Sequence, residues 1–105
     1  MEQPNLDYIN QLSGDNEEFK NKLIGILKKE LPLEIAGYKS DLLTDDLALA
    51  SQSVHKIKHK VSILGLEKSY YIASTYENNL KLNSFDLKDE FENILKIMQE
   101  YVDSL

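Results

Sequence analysis

The ten residues Ser51-Gln52-Ser53-Val54-His55-Lys56-Ile57-Lys58-His59-Lys60 hold both histidines of the chain and three of its lysines. They contain no acid, although the protein has a formal net charge of −6. On a helix turning about 100° per residue, His55 lies roughly 125° from the centre of the Val54, Ile57 and Val61 stripe, so its ring is expected to face solvent. His59 and Ser62 fall within about 40° of His55, and Lys58 about 60° to the other side, nearer the flank of the helix. Imidazole titrates near neutrality and keeps a large neutral fraction at cellular pH, so an exposed histidine is a competent nucleophile without a separate base. A phosphoryl group in transfer spreads negative charge over its outer oxygens, and a fixed ammonium one turn away, at Lys58, would stabilise it. His55 is therefore the candidate phosphoacceptor and Lys58 its electrostatic partner, with His59 and Ser62 completing the polar patch.

Two other chemistries are weaker fits. Histidines at i and i+4 can chelate a metal, but the residue after His55 is lysine where a zinc helix carries glutamate. No cysteine is present to complete a site, and Lys56, Lys58 and Lys60 would repel a dication, so no metal and no intrinsic cofactor are expected. Tyr70, Tyr71 and Tyr76 have no glycine-rich phosphate loop beside them, and are expected to pack in the core and at its rim. Lys56 and Lys60 project from the expected core, either as a solvated face or as a basic rim that steers an acidic partner.

The elements that must position these residues read as helices, because apolar residues recur at spacings of three and four with few glycines or prolines between them. Leu6, Ile9 and Leu12 predict a short leading helix at about residues 5–12, stopped at Ser13-Gly14. Asp15 with Glu18 has the form of a capping box, followed by Phe19, Leu23 and Leu27. Pro32 must kink or break this pattern, yet Ile35, Tyr38 and Leu42 resume it, which predicts one bent arm to Leu43 or two helices in tandem. Thr44, Asp45 and Asp46 supply a cap and negative charge for the helix that carries His55. Its inward stripe runs Leu47, Ala50, Val54, Ile57, Val61, Leu64 and ends at Gly65, which is expected to make a tight turn. Leu66, Tyr70, Ala73, Tyr76 and Leu80 form a further stripe. Leu87, Phe91, Ile94, Met98, Tyr101 and Leu105 form the last, after an Asn83-Ser84 joint. Glu77 projects close to the apolar stripe of its helix and so requires a hydrogen-bond partner or a place at the edge. The expectation is an all-α fold: an antiparallel up-down four-helix bundle over about 15–105 with a short extra N-terminal helix.

A chain of 105 residues, 42% hydrophobic and 29% charged, is the size and composition of one globular domain. Without cysteine it has neither disulfides nor thiolate metal sites. Met1 to Asn10 lack the basic and apolar regions of a secretory signal, and no apolar run approaches the roughly 20 residues that span a bilayer. The acidic balance disfavours nucleic acid. A cytoplasmic protein with a protein partner, no nucleic acid and no membrane is expected.

Val54-His55-Lys56-Ile57-Lys58 followed by Gly65-Leu66 resembles the histidine-containing phosphotransfer (HPt) family, in its histidine, lysine three later and glycine ten later. The resemblance extends over essentially the whole chain, through Leu12-Ser13-Gly14-Asp15, Glu18-Phe19, Leu31-Pro32, Asp45-Asp46 and Tyr76-Glu77. It implies a phosphorelay intermediate of bacterial two-component signalling without autonomous kinase activity. In that role His55 would accept a phosphoryl group from a receiver-domain aspartyl phosphate and pass it to another receiver, while Lys58 steadies the phosphoryl oxygens. The partners implied are receiver domains of response regulators and hybrid histidine kinases, with magnesium on the receiver, and a monomer is expected. The residue four after the histidine is usually small and often glycine. Here it is His59, whose ring either hinders receiver approach or donates a hydrogen bond to the phosphoryl group. Two other functions are compatible with parts of the pattern. One is a non-phosphorylated helical adaptor that docks on and blocks a receiver or histidine kinase. The other is a histidine-kinase dimerisation domain, which fits less well because Lys56 stands where an acid is usual there.

Overall fold

The computed structural model describes residues 2–105, so that Met1, the first residue of the expected domain, lies outside them. The described residues form five helices and no strand: α1 (Asp7–Ser13), α2 (Glu17–Leu43), α3 (Leu47–Ile63), α4 (Glu67–Lys81) and α5 (Lys88–Asp103). No helix among them is long and apolar enough to cross a membrane. α3, the carrier of both histidines, packs against α2 on one side and α4 on the other, while α5 closes against α2 and α4. Val54, Ile57 and Val61 are fully buried, together with Ala50 and Leu64, as the apolar stripe of α3 requires. Around them lie Leu27, Leu31 and Tyr38 from α2, Ala73, Tyr76 and Leu80 from α4, and Phe91, Ile94, Leu95, Met98 and Val102 from α5.

The helix ends explain the positions of the elements. Asp46 caps α3 by accepting from the Leu49 N–H at 3.0 Å, as the acidic joint predicts. Thr44 turns its hydroxyl back onto the Ser40 and Asp41 carbonyls at the end of α2. Gly65 lies at φ +76°, the left-handed conformation that ends α3, and the Asn5 side chain packs where a Cβ would be. The backbone N–H of Asn5 donates to the Leu64 carbonyl at 2.9 Å. The N-terminal segment thus straps the α3–α4 turn. The Glu2 carboxylate then receives the Lys68 and Ser69 N–H groups at 3.0 and 2.9 Å, capping α4, whose own N-cap residue Leu66 offers no side-chain oxygen.

Several expectations shift. The cap of α2 is Asn16, which accepts from the Phe19 N–H at 3.0 Å, and not Asp15. Leu12 and Phe19, assigned to inward stripes, are exposed, and Ser13 is buried with its hydroxyl on the Ile9 carbonyl. Of the two outcomes expected at Pro32, one arm forms and not two helices: α2 continues through it, with Leu27, Leu31 and Tyr38 buried on either side. The joint before α5 spans residues 82–87, wider than Asn83-Ser84, and turns through left-handed residues Asn83 and Leu87. Tyr71 is largely exposed and packs edge-on against Tyr70.

The Tyr38 and Tyr76 hydroxyls lie 2.6 Å apart, and Tyr38 donates to Glu92 at 3.0 Å, so Tyr76 supplies the proton of the first bond. Burial pushes the Tyr38 phenol far up, with the bond to Tyr76 adding to it, so this pair stays neutral. Both rings pack against Phe91, tying α2, α4 and α5 together.

Candidate functional site

His55 sits midway along α3 with 53% of its side chain exposed, as its angle from the apolar stripe requires. It is not free on that surface. Its Nδ1 lies 3.1 Å from Oε2 and 3.3 Å from Oε1 of Glu77, which reaches across from α4. Glu77 is buried, and its carboxylate is shared: Lys58 Nζ is 3.0 Å from Oε1, and Lys81 Nζ is 3.5 Å from Oε2. Lys58 also approaches the Ser74 hydroxyl at 3.4 Å and stands 5.5 Å from the centre of the Tyr70 ring. The carboxylate that looked out of place on α4 is therefore the hub of the site.

Burial acts to raise the Glu77 pKa, but the hydrogen bond and charge of Lys58, helped by His55, outweigh it and hold the carboxyl below its ordinary value. An ionised carboxylate only accepts hydrogen bonds. The neutral His55 ring must therefore carry its proton on Nδ1 and donate it to Glu77, leaving the lone pair on Nε2. This is the tautomer a nucleophilic imidazole needs at its outer nitrogen. Because His55 and Glu77 stand on packed helices, the ring orientation is also fixed.

The remaining expected site residues are placed unequally. His59 is exposed, with its ring edge-on to that of His55 at 5.2 Å between centroids. Ser62 is exposed one turn further on, and with Glu67, Tyr70 and Tyr71 lines a shallow depression of about 320 Å³. Lys56 is exposed, as a docking rim requires. Lys60 is not part of such a rim. Its side chain is only 12% exposed, and its ammonium is held at 3.0 Å by Glu30 and 3.1 Å by Glu34 on α2. The projection of α3 alone carries no information about acids on the neighbouring helix. Lys58, expected near the flank, is buried in the α3–α4 seam, with its charge already engaged by Glu77.

Ser74 and Lys81 were not expected at the site. The available signal is their spacing: Tyr70, Ser74, Glu77 and Lys81 fall at i, i+4, i+7 and i+11, one continuous line along α4. No group of three or more histidine, cysteine or acidic side chains among the described residues is arranged to hold a metal. Comparisons with protein-family models, with curated proteins and with solved structures give no match to the chain.

Proposed function

We propose that the chain is a histidine-phosphotransfer module of a two-component phosphorelay: an antiparallel up-down bundle of α2 to α5, with α1 as an extra N-terminal helix, that presents His55 to receiver domains. The observation that carries this reading is the hydrogen bond from His55 Nδ1 to the buried Glu77 carboxylate, which leaves Nε2 as the outward nucleophile. In the transfer step the Nε2 lone pair attacks the phosphorus of a receiver aspartyl phosphate. The Nε2–P bond forms as the P–O bond to the aspartyl carboxylate breaks, and that carboxylate leaves with the bonding electrons. No proton moves: Nδ1 keeps its hydrogen, the phosphorylated ring becomes formally cationic, and Glu77 stabilises that charge. The reverse step delivers the group to a second receiver. The bundle orients the nucleophile and has no kinase activity of its own. It acts in the cytoplasm as a monomer, with magnesium supplied by the receiver. Lys56 and the surface around His55 meet the receiver, and His59 borders the approach.

One observation favours a second reading. The His59 ring stands beside His55 where receiver approach calls for a small residue, which suits an adaptor that docks on a receiver or kinase and blocks it without accepting phosphate. Intact-mass spectrometry at neutral and acidic pH, after incubation with phosphorylated receivers, separates the two. Transfer through His55 gives an acid-labile phosphate on the wild type and none on His55→Gln. Binding without any adduct, across a broad receiver panel, would move the assignment to the adaptor.

A further inference from the structure

We infer that Lys81 is a second phosphoryl-binding cation of this site, closing on the phosphoryl oxygens when His55 is loaded. The inference rests on the phosphotransfer reading. Two ammonium groups approach the Glu77 carboxylate, but they are held very differently. Lys58 is 11% exposed and bound at 3.0 Å to Oε1, with Ser74 and the Tyr70 ring around it. Two of its three N–H groups are engaged by Glu77 and Ser74, and pulling it away from the buried carboxylate toward a phosphoryl group on Nε2 is costly. Lys81 is 58% exposed and stands 3.5 Å from Oε2, the same oxygen that receives the His55 Nδ1 proton at 3.1 Å. An exposed, loosely held ammonium moves at little cost. Beside it Ser51, Gln52, Leu80 and Asn83 border a depression of about 290 Å³, one turn of α3 before His55, which gives the lysine room to move.

Charge balance points the same way. With His55 neutral, the carboxylate of Glu77 faces two ammonium groups, leaving a surplus of one positive charge. A phosphorylated ring carries a formally cationic imidazole and a phosphoryl group of about −2, so loading adds about one negative charge and cancels the surplus. Lys58 remains with Glu77, preserving the tautomer, and Lys81 takes the phosphoryl oxygens. The sequence pattern assigned phosphoryl stabilisation to Lys58 alone; the geometry divides the work between two lysines on different helices.

The test uses phosphoramidate, a small donor whose P–N bond breaks to release ammonia as the Nε2–P bond forms, so no partner surface enters the measurement. Wild type, Lys81→Gln, Lys81→Arg and His55→Gln are compared for the rate of acid-labile phosphate uptake and the half-life of the adduct. Uptake by Lys81→Gln is expected to be slower by roughly tenfold, less than the loss on removing a buried transition-state donor because the lysine is exposed. Lys81→Arg restores most of the rate, and the deficit shrinks in about 1 M salt, where exposed charges are screened. Thermal midpoint and the 15N-detected His55 tautomer stay at their wild-type values. Uptake by Lys81→Gln at the wild-type rate overturns the role of Lys81 while leaving phosphotransfer intact. No acid-labile adduct on the wild type, from phosphoramidate or from any phosphorylated receiver, overturns both.

Discussion

The Glu77 and Lys58 charges should depend on each other far more strongly than those of a surface ion pair, and a double-mutant cycle measures that coupling. Glu77→Leu leaves the Lys58 ammonium, 11% exposed, with the Ser74 hydroxyl and the Tyr70 ring for company; Lys58→Met leaves the buried carboxylate with His55 and the exposed Lys81 at 3.5 Å. Breaking a fully buried pair from one side costs about 3–5 kcal/mol. The residual exposure of Lys58 and its secondary contacts reduce this, so each single variant should lose about 2–3 kcal/mol. In a protein of this size that lowers Tm by about 10 °C or more. The double variant Glu77→Leu/Lys58→Met removes both charges and fills the seam with apolar groups, so it should lose no more than either single variant does alone, giving a coupling energy of about 2 kcal/mol or more. Urea unfolding of the four proteins at neutral pH supplies the numbers. If the two single losses simply add in the double variant, the charges do not depend on each other and the carboxylate is not the hub described above.

Other consequences follow from the same structure. Glu2→Ala removes the acceptor for the Lys68 and Ser69 N–H groups and should cost about 1 kcal/mol, with faster amide exchange confined to the first turn of α4. Acid should destabilise the protein in a defined direction. Burial acts to raise the pKa of Glu2 and of Glu77, but backbone N–H groups for the first and Lys58 for the second hold both below 4.5, so their stabilisation is complete above that value and is lost as pH falls through their folded-state pKa values. Urea midpoints from pH 7 to pH 3 should therefore fall less steeply for Glu77→Leu than for wild type, and parallel curves would contradict the assignment. Gly65→Ala forces a side chain into a φ of +76° against Asn5 and should lower stability by about 1–2 kcal/mol; an unchanged Tm would show that the strap relaxes freely.

How much of this was legible in the sequence depends on the range of the interaction. The helices were, because period and caps are local: the α3 stripe from Ala50 to Leu64 is buried as its spacing requires, and Asp46 caps it. The errors occurred where local rules offered near-equal choices or where packing overruled them. Asp15 and Asn16 are both good caps, and the geometry uses the second. At Pro32 the local rules leave one arm or two open, and the continuous burial of Leu27, Leu31 and Tyr38 goes with the single arm. The outward angle of His55 was equally legible, since it needs only one helix. The charges of Lys58 and Lys60 were not, because each is settled by acids on a different helix, Glu77 on α4 and Glu30 with Glu34 on α2.

The carboxylate at position 77 imposes requirements on everything around it. To hold the Nδ1 proton of His55 in one place it must be ionised and packed, yet a packed carboxylate alone would take up a proton and become a hydrogen-bond donor itself. A cation buried with it prevents this, and Lys58 supplies that cation at 3.0 Å. The same contact, however, ties Lys58 to the carboxylate that faces Nδ1 and limits its movement toward the outer nitrogen at which charge would accumulate. A site built this way needs another positive group, exposed enough to move and near enough to arrive, and the side chain one turn along α4 from Glu77 meets both conditions. The histidine and lysine three apart on α3 are thus half of the electrostatic arrangement; the other half is written along α4, in the line from Tyr70 through Ser74 and Glu77 to Lys81.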